Sequence, residues 1–281
     1  MSSLRFRGAG ARVNLVGLDR SLADVVDLVR DVGHGILLPE QSGGGAHERA
    51  PDTVVRIRQL PDGVHLIDGE LLPATPDEAA ASVLGAVDRA LLGASRCLSV
   101  HAAVVAGAGG AAIAPGVSGT GKTTLAAAAM QHGLRLVSDE AACVDPHDDV
   151  LHPYPRPLGL SRRSRDLLGL PTPLSGPVDE ERATAPSLLG RTVPTDQLVR
   201  PTVLVLAQRE PAPFTGSVTE GSTGEGLSAL LANCLNTGLG GPWTPEEAWA
   251  RLAELVRSLS VVRLRYSTPK DGAELLGSLL G

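Results

Sequence analysis

Residues 114–130 read APGVSGTGKTTLAAAAM. A short apolar stretch ends at Pro115, glycines follow at 116, 119 and 121, and Lys122 and Thr123 open an alanine-rich run. This is the spacing in which a strand passes through a glycine-rich loop into a helix and the loop amides cradle phosphate. Gly116, Val117, Ser118, Gly119, Thr120 and Gly121 turn their backbone N–H groups inward. Lys122 brings a full positive charge to the outer phosphates, the Thr123 hydroxyl suits Mg²⁺, and Thr124 completes the set of candidate nucleotide-binding residues. The bland alternative is a plain glycine-rich turn. The strand before the loop and the helix after it disfavour that alternative. Arginine supplies nearly all the positive charge, and the only lysines are Lys122 and Lys270.

The stretch LRLVSDE at 134–140 decides the class. Asp139 lies 17 residues after Lys122, room for one helix and the start of one strand. The acidic strand therefore follows the loop's helix directly, without the inserted strand usual in transporter or ring ATPases. The chain contains no LSGGQ and no NKxD. Asp139 and Glu140 at a strand end suit two tasks, binding Mg²⁺ and taking a proton from an attacking hydroxyl. A solvated strand terminus is the other reading of the pair, and its distance from Lys122 argues against it. His101, in LSVHAAVV, sits on a strand expected beside the loop's own strand. By residue physics alone it is more simply a hydrogen-bonded core histidine. Arg156 in YPRPL, and Arg162 and Arg163 in LSRRS, are candidate clamps for a transferring phosphoryl group or plain solvated arginines.

Composition bounds the rest. The 281 residues are 43% hydrophobic and only 2% aromatic, so the core must be aliphatic. The net charge of −6 and the scarcity of aromatic platforms speak against nucleic acid as partner. Cys97, Cys143 and Cys234 show no metal-binding or disulfide spacing. The opening MSSLRFRGAG lacks an apolar signal core, and no apolar run reaches membrane length. A cytoplasmic protein without a membrane partner is expected.

Two regions are predicted. Residues 1–74 read as a small α/β unit. Its elements are a strand at ARVNLVGL, a helix SLADVVDLVRDV opened by Ser21 and Asp24, and a hairpin turning at Pro61-Asp62-Gly63. Residues 75–281 form the larger domain. It opens with a helix capped by Thr75, Pro76 and Glu78, and continues with strands LSVHAAVVA and AAIAP around GAGG. Downstream come a hairpin AACVD–VLHPYP, a strand PTVLVLAQRE, helices at EGLSALLANCLN and TPEEAWARLAELVRSL, a strand VVRLRYST and a closing helix PKDGAELLGSLL. Residues 171–200, rich in Pro, Thr and Ser, read either as a lid or as a surface loop.

The order of these parts resembles the core of the HPr kinase/phosphorylase family. It looks most like the HPr-kinase-related kinases of bacterial peptide natural-product clusters, lasso peptide kinases among them. The specific match spans roughly residues 97–160, with a looser likeness to the C-terminus. His101, Lys122, Thr123, Asp139 and Glu140 fall on the family's positions. The resemblance implies an α/β fold like the nucleotide domain of phosphoenolpyruvate carboxykinase, with a mixed or largely antiparallel sheet. It implies ATP and Mg²⁺ as cofactors and transfer of the terminal phosphate to a serine-type hydroxyl. Asp139 would be the general base, supported by His101; Lys122 would stabilise the phosphoryl group; Thr123 with Asp139 or Glu140 would hold the metal. The family's ring-like oligomers leave a homo-oligomer open. Glu140 replaces the usual aspartate, and the glycine-rich RGxGxxxV signature is missing. Neither HPr as substrate nor phosphorolysis therefore carries over. The acceptor is left as a peptide, a protein or a small hydroxyl compound. The competing reading is a nucleotide-binding regulatory or assembly protein with little turnover.

Overall fold

The computed structural model describes residues 2–18, 20–33, 36–37, 51–60, 65–73, 75–117, 119–171, 182–237 and 242–281. The fold is mixed α/β, with seven α-helices and three sheets among these residues.

The N-terminal sheet has five strands in chain order: β1 (Ser2–Gly8), β2 (Ala11–Leu18), β3 (Thr53–Gln59), β4 (His65–Ile67) and β5 (Glu70–Leu71). No strand is predicted at β1, yet it pairs antiparallel with β2 through a two-residue turn. Ala9 and Gly10 both take positive φ there, 53° and 76°, as a tight hairpin with right-handed strand twist requires. The strand pairing on either side of the expected Pro61-Asp62-Gly63 turn is present, Gln59 opposite His65. The turn itself lies outside the described residues.

Helix α1 (Ala23–Val32) starts later than the Ser21/Asp24 pattern predicts. A 3₁₀ turn over Arg20–Leu22 precedes it, and Leu22 takes the cap position without a side-chain bond. Helix α2 (Pro76–Ala94) begins where predicted. There the Thr75 hydroxyl donates to the Glu78 carboxylate at 2.6 Å, and no side chain caps a backbone amide. Val83, Val87 and Leu91 of α2, spaced one helical turn apart, are fully buried in one core with Phe6, Leu15 and Ile57. Helix α2 thus packs on the N-terminal sheet. Ala141, Cys143 and Tyr154 of the larger region belong to the same core.

The large sheet is built from β6 (Leu98–Gly107), β7 (Gly110–Pro115), β8 (Arg135–Ser138), β9 (Ala141–Val144), β10 (Leu151–His152), β13 (Pro201–Arg209), β14 (Ser217–Glu220) and β15 (Ser260–Tyr266). Its order is β10-β9-β6-β7-β13-β15-β14, with β8 also on β6. Strands β7, β13 and β15 run parallel and the other pairings are antiparallel. One face is covered by α3 (Lys122–Gln131) and α7 (Pro269–Leu280), the other by α5 (Thr223–Leu231) and α6 (Pro245–Arg257). The expected capping box at Thr244 and Glu247 forms on α6, and a second one at Ser222 and Glu225 opens α5. Helix α5 ends at Leu231, short of the predicted Asn236. The next residues turn and meet β6 through an isolated bridge of Cys234 with Val100, with His101 N–H on the Asn233 carbonyl at 2.7 Å and Leu235 N–H on the Ser99 carbonyl at 2.9 Å.

A small sheet pairs β11 (Leu158–Leu160) with β12 (Arg182–Thr184), and α4 (Arg162–Leu167) follows β11. Of the residues that follow β12, Arg191, Val193 and Val199 are bonded through the backbone to the large sheet. Leu136 exchanges backbone bonds with Arg191 and Val193, and Leu151 with Val199. Leu189 and Val193 are buried. The remaining stretch of the expected lid, 172–181, lies outside the described residues.

Candidate active site

Strands β8 and β9 are two halves of one path along β6, broken at Asp139 and Glu140. Ser138 still pairs with Val104, and the pairing resumes at Ala141 opposite His101. The break is secured from both sides. Ala102 N–H donates to the Glu140 carbonyl, and Ala141 N–H to the Ser138 hydroxyl. A break of this kind re-aims side chains that a regular pleat would send to alternate faces.

The glycine-rich loop lies between the ends of β7 and α3. Gly119 and Gly121 have φ of 83° and 88°, open to glycine at little cost, and Gly121 is the residue from which α3 starts. Of the predicted loop residues, Ser118 lies outside the described residues. Val117, Gly119, Gly121, Lys122, Thr123 and Thr124 line the cleft, while Gly116 and Thr120 complete the loop without lining it. The Lys122 ammonium folds back onto the Val117 carbonyl at 2.8 Å, which also accepts from the Thr120 hydroxyl at 2.9 Å. Burial pulls the Lys122 pKa down, against the upward influence of Asp139 and Glu140.

Asp139 is only 6% exposed, and its Oδ1 has no hydrogen-bond partner. Burial raises its carboxyl to about pKa 7, opposed by a hydrogen bond from Thr123 and the charge of Arg156. Glu140 is more open. His101 Nδ1 lies 3.0 Å from the Glu140 carbonyl and 3.5 Å from its Oε1. Arg156 stands between two acids, Nη1 at 3.5 Å from Glu140 Oε2 and Nε at 3.4 Å from Asp88 Oδ2. Asp88, buried on α2, also accepts a hydrogen bond from the Tyr154 hydroxyl. Desolvation raises the Asp88 pKa, partly offset by Arg156 and Tyr154.

These groups face one cleft of about 900 Å³. It brings together His101, Lys122, Thr123, Asp139, Glu140 and Arg156, six residues drawn from four separate stretches of sequence. Arg163 lines it as well and Arg162 does not. Arg163 rides on α4, which is tied to α3 by Thr124 Oγ1 on Ser164 Oγ at 2.9 Å. The lining also includes residues that the sequence does not single out: Arg209, Tyr266 and the turn at Asn233–Leu235. Asp88 and Tyr154 are likewise absent from any short motif. Asp88 lies 66 residues from Tyr154, and only packing of α2 against the larger region joins them.

The residues fit a phosphate-bound Mg²⁺. Two carboxylates and one hydroxyl stand beside the glycine-rich loop, and one buried carboxylate oxygen is left without a partner. Mg²⁺ is usually held by one or two carboxylates together with phosphate oxygens and water. Among the described residues there is no cluster of three or more His, Cys, Asp or Glu that would make an all-protein metal cage. Among them, too, no helix is long and apolar enough to cross a membrane. No family model matches the chain, and no curated protein matches it.

Proposed function

We propose that the chain is an ATP- and Mg²⁺-dependent phosphotransferase acting on a serine-type hydroxyl, built on a P-loop kinase core of the HPr-kinase-like kind. The observation that carries this reading is the buried Asp139 with its unpartnered Oδ1, set beside the Lys122–Thr123 cradle. A buried carboxylate with no partner of its own is a costly feature, and it makes sense where another group is to be met.

Mg²⁺ would be held by Thr123 with Asp139 or Glu140, and would neutralise charge on the phosphates. Gly119 and Gly121 present amides to the phosphate tail. Lys122 leaves the Val117 carbonyl to meet the negative charge of the transferring group. Asp139 accepts the proton of the attacking hydroxyl as its oxygen bonds to phosphorus and the bond to the leaving diphosphate breaks. A carboxyl lifted to about pKa 7 is matched to that task near neutrality. His101 and Arg156 hold Glu140 from two sides and so fix the break that aims Asp139. The three free cysteines suit a reducing compartment.

The test is mass spectrometry of phosphoryl transfer from Mg·ATP to a panel of serine-containing peptides and hydroxyl compounds. Lys122→Ala and Asp139→Asn serve as controls. A single phosphate gained on an oxygen, and lost in both variants, supports the kinase. ATP bound without transfer by the unaltered chain would favour a nucleotide-dependent regulator.

A further inference from the structure

Single apolar side chains are ordinary on a protein surface. Three large ones gather here in one cleft. Val117 is 62% exposed, Leu235 48% and Leu167 43%, and all three line the cleft that holds Lys122, Asp139 and Glu140. Phosphate and metal make no use of them, so they match an apolar part of a ligand. Their attachments set two of them on different sides. Leu167 rides on α4, which Thr124 Oγ1 ties to α3 through Ser164. Leu235 sits beside β6, next to the acids. Strand β9 holds one edge of β6 at Val100 and His101, so Cys234 bridges Val100 across the other edge. That is the edge β7 leaves at Pro115. The His101 backbone joins these parts: its N–H donates to the Asn233 carbonyl at 2.7 Å, and its carbonyl accepts from the Gly116 N–H at 3.4 Å. The His101 side chain reaches Glu140.

We infer, resting on the kinase reading of this cleft, that residues 232–235 form one wall of an acceptor subsite and that the acceptor carries an apolar group beside its hydroxyl. The attacking hydroxyl has to reach Asp139. The group that bears it therefore lies on the side of the acids and His101, where residues 232–235 are bonded. That stretch, Ala-Asn-Cys-Leu, holds no charge. Its one amide side chain is turned back to its own helix: Asn233 Nδ2 donates to the Ala229 carbonyl at 2.8 Å. To a ligand it presents the Ala232 methyl, the Cys234 thiol and the Leu235 isobutyl group. An aliphatic group seated against these leaves water at a gain. A charged or amide-bearing group in the same place gives up water for a methyl and an isobutyl group, at a cost. A serine flanked by aliphatic residues in a peptide and a small hydroxy compound with an aliphatic tail share the favoured chemistry.

The test compares phosphoryl transfer from Mg·ATP within two acceptor pairs, the peptides Gly-Leu-Ser-Leu-Gly and Gly-Asn-Ser-Asn-Gly, and the alcohols 1,2-hexanediol and glycerol. The apolar member of the pair that is used should have a kcat/KM about tenfold higher or more, and the pair used names the source. Leu235→Asn should narrow that ratio to about threefold or less by raising the acceptor KM, with the KM for Mg·ATP held within about twofold. Leu71→Asn, exposed on β5 and outside the cleft, should leave the ratio unchanged. Equal kcat/KM within the pair overturns the subsite and leaves the kinase standing. A second measurement needs no transfer: alkylation of Cys234 by iodoacetamide, followed by mass spectrometry with Mg·ADP present. Cys97 and Cys143 are buried, so Cys234 is the thiol that reports. The apolar acceptor should slow its alkylation about threefold or more beyond the polar one. Such protection without transfer to any acceptor would retain an apolar ligand site here and overturn the kinase reading alone. Alkylation indifferent to the acceptor, or slowed as much by Mg·ADP alone, overturns the subsite.

Discussion

Arg156 Nε lies 3.4 Å from Asp88 Oδ2, so a helix packed on the N-terminal sheet holds a side chain that faces the candidate catalytic acids. The same guanidinium reaches Glu140. Asp88→Asn keeps an acceptor for the Tyr154 hydroxyl but removes the charge that anchors Arg156. It should lower phosphoryl transfer about tenfold while leaving Mg·ATP affinity within about twofold. In an Arg156→Ala background the same change should have no further effect on turnover. An additive loss there would show that Asp88 acts otherwise than through Arg156.

Asp139→Asn should remove transfer by a factor of about 10²–10⁴, the usual worth of a positioned base, with nucleotide still bound. The same variant should gain stability at alkaline pH. The folded-state pKa of about 7 lies above the ordinary carboxyl value of 3.8, so the native state keeps a proton that the unfolded chain has lost. Stability therefore falls as pH rises between those values, by about 1.4 kcal/mol per pH unit. Asparagine carries no such penalty. Melting curves at pH 5 and pH 8 check this: the advantage of Asp139→Asn should be larger at pH 8. An advantage that is equal at both, or larger at pH 5, would refute the elevated pKa.

Gly17 should not tolerate a side chain. Its φ is 89°, and a Cβ there would lie 2.0 Å from the Ile57 carbonyl oxygen, a backbone atom that cannot swing aside. Gly17→Ala should cost about 3 kcal/mol or more, combining left-handed strain with displacement of β3. Chemical denaturation measures it. Gly69→Ala supplies the comparison: its φ is 90°, but nothing lies within 4 Å of the added Cβ. Its cost should be only the strain, about 1–2 kcal/mol.

Thr124→Val removes the hydroxyl that holds Ser164 at 2.9 Å and with it the tie between the N-terminal parts of α3 and α4, leaving Gln131 Nε2 on the Leu168 carbonyl at their far ends. Arg163 rides on α4, so transfer should fall severalfold. Thermal stability should change by about 1 kcal/mol, the worth of one partly buried hydrogen bond. Thr124→Ser should restore activity, and failure of that rescue would separate Arg163 from the effect.

Much of the architecture was legible from local signals. The strand–loop–helix around Lys122, the capping box that Thr244 and Glu247 form, and the β6–β7 hairpin follow from residue chemistry over a few positions. Strand β1 escaped, although Leu4, Arg5, Phe6 and Arg7 alternate, because its Ala9-Gly10 turn is not one of the Asn-Gly or Asp-Gly pairs that mark a hairpin. The C-terminal end of α5 escaped because bonding of Asn233 and Leu235 to β6 overrides helical propensity.

The sequence by itself determined the chemistry available: a glycine-rich loop with Lys122 and Thr123, two adjacent acids, and a histidine on an apolar strand. These sit in short motifs, where spacing along the chain sets spacing in space. Tertiary structure alone decided which oxygen stands unpartnered, how far Asp139 is removed from water, and that Asp88 and Tyr154 position Arg156. Burial and long-range pairing arise when separate segments exclude water together, and no local run of residues records which segments will meet.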